Sequence, residues 1–140
     1  MFSKKILYTW IAASATMFSL SFIWHGVVLN DFLNLTYPKE IFSPLFSLLY
    51  LAIGLVFAVA IGYVEIIKNI YYKSLIFGSF GGFIIFLIAF LLGVSFNSEV
   101  KVTYIALDLI WQVFEQSAGG LVAGYVYLFI EQERRFLFPL

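Results

Sequence analysis

The chain has 140 residues, of which 63% are hydrophobic, 21% aromatic and 11% charged, with a mean hydropathy of +1.00. A soluble domain carries about 25% charged residues, and a chain this short cannot hide so much apolar surface in one water-facing core, so lipid is its natural solvent. Net charge is zero with no basic tail or stripe, which leaves nucleic-acid binding without an electrostatic footing, and the lack of cysteine excludes disulfides, Fe–S clusters and thiolate zinc sites.

The first apolar run, residues 6–29, follows Lys4 and Lys5. Ala13-Ser14-Ala15 mimics a signal-peptide cleavage site, but the run continues unbroken to Leu29, too long for the apolar region of a signal peptide. It is therefore read as a span. The linker 30–42 contains Asn34-Leu35-Thr36, an N-glycosylation pattern that a short sequence produces by chance. Residues 45–67 form the second run, opened by Ser43-Pro44, an N-cap with proline at the first helical position. Glu65, near its end, is expected to snorkel or to pair with Lys68. Residues 75–96 are the third run, and 102–130 the fourth, which leaves the membrane in "IEQERR".

Each run reaches the roughly 20 residues that cross a ~30 Å hydrocarbon layer. Backbone in lipid must satisfy its own hydrogen bonds, which favours helices over strands. Short linkers make consecutive helices antiparallel neighbours. The expected fold is an all-α, integral membrane, antiparallel four-helix bundle, a single domain over 1–140. Lys4, Lys5, Lys68, Lys73, Arg134 and Arg135 fall on one side, Lys39 and Lys101 on the other. The rule that Lys and Arg stay inside then places both termini in the cytoplasm.

The fourth run raises a question of its own. "ALDLIWQVFEQSAGG" carries two acids and two glutamines inside a lipid-soluble helix. Asp108, Gln112, Glu115 and Gly119 share one helical face, with Gln116 beside it. A charge facing lipid at the helix centre costs roughly 2.5–3.5 kcal/mol on insertion scales, so the stripe should face other helices. On helix 1, Ser14, Ser21 and His25 also share a face. Depth arithmetic at ~1.5 Å per residue sets His25 level with Asp108, ~12 Å outward of the middle, and Ser21 level with Gln112. Trp24 and Trp111 stand beside the two stripes. An aromatic wall with a few convergent polar groups is how small-molecule sites look.

A blander reading stands next to this one. A His–Asp and Ser–Gln network also ties two helices together, at ~0.6 kcal/mol per intramembrane hydrogen bond. Glu115 tips the balance. It lies near the midplane with no Lys or Arg at its depth, and is expected to be neutral because an unpaired buried charge is costly. An intramembrane acid without a cationic partner is a functional-site hypothesis by default. Gly120 with Gly124, and Gly78 with Gly82, are small-xxx-small pairs that serve internal packing or a dimer contact. Gly93 has no such partner four residues away.

No P-loop, Rossmann glycine pattern or H-E-x-x-H is present. One histidine cannot make a two-histidine haem site, and Ser21 near His25 has no oxyanion hole to work with. No catalytic residue, metal ligand or cofactor is therefore assigned. The motifs "FIWHGVVLNDF" late in helix 1 and "DLIWQVFEQSAGGLVAGYVY" in helix 4 resemble small four-span bacterial inner-membrane families of unknown function, in which helix 4 carries Trp-Gln, an acid and a glycine pair. That resemblance implies a bacterial inner membrane and carries no activity with it.

The leading expectation is a membrane protein that binds or translocates a small ligand or proton at His25, Asp108, Gln112, Glu115, Trp24, Trp111 and Ser21. The alternative is an accessory subunit, docking on a homodimer mate or a larger membrane complex through its stripe and glycine faces. An enzyme acting on a lipid-soluble substrate ranks below both.

Overall fold

The protein is described by a computed structural model covering residues 4–28, 39–96 and 102–137. The connections between these segments, with Asn34 and Lys101, lie outside the described residues, as do the surroundings of Gly93. Four α-helices make up the fold: α1 Lys4–Ser21, α2 Lys39–Tyr63, α3 Ile70–Phe96 and α4 Val102–Leu137. A π-helical segment, Phe22–Val28, continues α1. No strand occurs among the described residues. The stretches Lys4–Val28, Ser43–Tyr63, Ile70–Leu91 and Ile105–Glu133 are long and apolar enough to cross a membrane. The chain is an all-α, multi-pass integral membrane protein.

The ends of the helices differ from the runs of apolar letters. Helix α2 begins at Lys39, ahead of the expected start, so Pro44 lies inside it. Pro44 is the sixth residue of the helix, just past the four N–H groups that lack partners anyway, so it forgoes one intrahelical bond to the opening turn. At its other end α2 stops at Tyr63, short of Ile67. The Lys73 ammonium accounts for the stop. It is buried and donates to the carbonyls of Ile61 (2.8 Å) and Val64 (2.6 Å), two orphan acceptors of a helix C-terminus. Helix α3 then starts five residues earlier than its apolar run, because the Asn69 side chain accepts from the Tyr72 N–H (3.1 Å) and caps it.

The bundle is apolar outside and small or polar inside. Leu48, Val56, Phe80, Ile88, Leu91, Ile110, Phe114 and Phe129 are all exposed, which suits hydrocarbon and not water. The apolar core consists of Ala13, Met17, Tyr50, Phe57, Ile61 and Ala123. Helix α4 is the hub, packing on α3 along one face and on α1 along another, while α1 also packs on α2. Between α1 and α2, the Trp10 indole donates to the Leu51 carbonyl (2.6 Å).

The α3–α4 seam is made by glycine. A Cβ on Gly78 would stand 2.6 Å from the Gln116 carbonyl oxygen, and one on Gly82 2.6 Å from that of Gln112. In return a Cβ on Gly120 would stand 2.5 Å from the Ser74 carbonyl oxygen, and one on Gly124 would run into the Ser74 hydroxyl. The small-xxx-small pairs of the two helices thus face each other within one chain, backbone against backbone. Ser79 and Ser117 share a hydrogen bond across the same seam (2.8 Å). Where the termini of the bundle meet, Lys5 lies 3.7 Å from Glu131 and its ammonium 4.9 Å from the Tyr127 ring centre.

Candidate functional site

Glu115 is completely buried. Its position on α4 turns it away from the glycine seam and toward α1 and α2. One carboxyl oxygen accepts from the Tyr50 hydroxyl at 2.7 Å and from the Gln116 amide at 3.1 Å, and the other accepts from the Trp111 indole at 3.2 Å. These three donors come from two helices, α2 and α4. Helix α1 adds Ser21, whose hydroxyl stands beside both the carboxyl and the Tyr50 hydroxyl without closing a hydrogen bond. Among the described residues, no Lys, Arg or His forms an ion pair with Glu115. Three neutral donors therefore satisfy a carboxyl that lipid would otherwise make expensive.

The walls are aromatic. Trp24, in the π-helical segment, stacks on Trp111 with ring centres 4.3 Å apart and planes 10° apart. Phe18, Phe46 and Tyr50 form a second cluster, edge-to-face or tilted. Two fully buried polar atoms in this region have no partner, the Ser21 hydroxyl and the Gln116 side-chain oxygen, and so does the buried Trp24 indole nitrogen. Such groups are rare inside proteins, and each asks for water or a ligand.

Of the residues singled out from sequence, Glu115, Trp111, Trp24 and Ser21 come together here. Gln112 is half-buried, and its backbone carbonyl faces Gly82 in the seam. His25 is half-buried in the π-helical segment, one residue past Trp24, and Asp108 is exposed one turn before Trp111. Neither is among the groups that hold the Glu115 carboxyl. Gly119 lies against Met17, whose Sδ a Cβ there would approach to 2.7 Å, and Gly54 of α2 lies against Ser14.

The register of α1 on α4 is displaced from the equal-depth expectation. Ser21 neighbours Glu115 rather than Gln112, and Met17 meets Gly119. The displacement is about one turn, ~4–5 Å. Tyr50 and Gln116, two of the three donors to Glu115, are absent from the sequence-derived set. Gln116 sat one position off the stripe, and its side chain reaches back across it. Tyr50 had one signal: a phenol some six residues into an apolar run, deeper than an interfacial belt, needs a buried acceptor. Among the described residues, no three His, Cys, Asp or Glu are placed to hold a metal ion. No known family model, curated protein or solved structure matches the chain.

Proposed function

We propose that this multi-pass membrane protein binds a proton or a small polar ligand at Glu115. The observation that carries the reading is a fully buried carboxyl held by Tyr50, Trp111 and Gln116, with no described cation pairing with it. Helix packing alone does not call for an acid at that place, because a glutamine would accept the bonds of Tyr50 and Gln116 without the risk of a buried charge, losing only that of Trp111. Ser21, Trp24 and Trp111 form the wall of the site. His25, Asp108 and Gln112 form its approach, with His25 and Asp108 in contact directly or through one water. The excess of Lys and Arg on the side of the termini supports a cytoplasmic location for both, and the motif resemblance supports a bacterial inner membrane.

The test is infrared difference spectroscopy of the reconstituted protein between two pH values. The expected result is a carboxylic-acid C=O band that appears on acidification and is lost in Glu115→Gln. A spectrum unchanged by Glu115→Gln would make the polar centre structural glue. The role of accessory subunit would then replace this reading, with stoichiometric co-purification of a membrane partner as its own check. Against a dimer formed through the glycine pairs stands their use within the chain, where α3 and α4 already cover them.

A further inference from the structure

We infer that the Glu115 site communicates with one side of the membrane only, the side on which the π-helical segment lies, and that its ligand is a proton carried on water. The inference rests on the reading just proposed. It follows from an asymmetry above and below the carboxyl.

Toward the end of the bundle that holds the start of α1, the site has an apolar floor. Met17 is fully buried and fills the space against Gly119. Ala13 and Ala123 are fully buried one turn further on, and Phe57 and Ile61 of α2 close the same layer. From Glu115 to Ala123 this floor is ~12 Å thick at the rise of a helix. A charge has no path through that thickness of packed hydrocarbon. Thr9, Ser14 and Ser74 are buried hydroxyls without partners beyond Met17, but along α1 the Met17 side chain separates the first two from Ser21, and Ser74 lies in the α3–α4 seam.

Toward the other end, no comparable apolar layer closes the site among the described residues. Trp24, His25, Gly26, Trp111 and Gln112 are half-buried, and Asp108 is exposed. The backbone from Phe22 to Val28 is π-helical, a geometry that is rare and recurs at functional positions. Of the unpartnered polar atoms around the carboxyl, the Trp24 indole nitrogen lies in this half, and the Ser21 hydroxyl and the Gln116 oxygen stand at about the level of the carboxyl itself. Together they offer two donors and two acceptors around the carboxyl, since a hydroxyl does both. That set fits a water, which donates to Gln116 and Glu115 and accepts from Ser21 or Trp24, and can carry a proton to the carboxyl. The titratable or charged groups around Glu115 are Tyr50 from α2 and, on the approach, His25 from the π-helical segment and Asp108 from α4 itself. Helix α3 turns glycines and serines to α4, and its one buried cation, Lys73, is engaged at the far end with α2.

The experiment uses the full chain in vesicles sorted for orientation by access to a C-terminal tag. An acid step is applied to one face at a time while tryptophan fluorescence is read, because Trp111 is bonded to Glu115 directly. The expected result is a fluorescence change when the face opposite the termini is acidified, none when the terminal face is, and loss of the change in Glu115→Gln. Met17→Ser should join Ser14 to Ser21 and make the response two-sided. A wild-type response from the terminal face, or from both faces, overturns the inference while leaving proton binding at Glu115 intact. A Met17→Ser protein that folds and stays one-sided overturns the role of the floor. Silence from both faces sinks the proposed function itself, and this inference with it.

Discussion

Helix α4 has two working faces, built by opposite means. Toward α3 it presents Gly120 and Gly124 and receives Gly78 and Gly82, so two backbones meet with almost no side chain between them. Toward α1 and α2 it presents Glu115, the Gln116 side chain, Gly119 and Ala123, and there side chains fill the space. The first face fits because nothing is there, and backbone cannot move aside. The second holds polar atoms in excess of their partners, and flexible groups such as Met17 line it. A seam of the first kind gives rigidity in lipid, where no hydrophobic force presses helices together. A centre of the second kind has room for chemistry.

The comparison breaks most visibly at two adjacent glycines. Gly120→Ala should cost about 1–3 kcal/mol of stability, as overpacking does, because its Cβ would meet the Ser74 carbonyl. Gly119→Ala meets the Met17 side chain at its Cγ and Sδ, which can shift where backbone cannot, and should cost less. Thermal melts of the two variants in one detergent would decide it, and equal losses would erase the distinction between the faces. Within the centre, Tyr50→Phe removes a 2.7 Å donor to Glu115 and should cost about 1 kcal/mol. It should also shift the emission of Trp111, which shares that carboxyl, whereas a purely mechanical role for Tyr50 would leave the emission alone. The smallest effect belongs to Ser79→Ala in the seam, ~0.6 kcal/mol for an intramembrane hydrogen bond, with tryptophan emission unmoved. An emission shift there would show the two faces to be coupled through α4.

What was legible in the sequence follows the same division. The four spans are announced by long apolar runs, and the seam by glycines at a spacing of four, because both are periodic along one helix. Glu115 was legible because an acid in lipid is anomalous whatever surrounds it. Its shell was harder to read. Tyr50 sits on another helix, and no local pattern ties a tyrosine to an acid 65 residues away. The displacement of α1 on α4 is hidden in the sequence because the ends of apolar runs do not fix where a helix sits along its axis. Those ends are not the helix ends: α1 changes to a π-helix after Ser21, and α4 continues to Leu137, beyond its apolar run. A one-turn error in depth follows from that and replaces Gln112 by Glu115 as the neighbour of Ser21.

Lys73 also bears on how the chain enters a bilayer. Its two bonds to α2 need only residues 61–73, so the hairpin of α2 and α3 can close during synthesis before α4 exists. The ammonium then travels beside the negative end of the α2 dipole and near the Glu65 carboxylate, which offset part of its charge and weaken its hold on the membrane potential and on anionic lipid. As a topological signal it counts for less than the flanking Lys4, Lys5, Lys68, Arg134 and Arg135. The hairpin therefore arrives with one of its cations partly offset, and the bias on that side is carried chiefly by the five flanking cations.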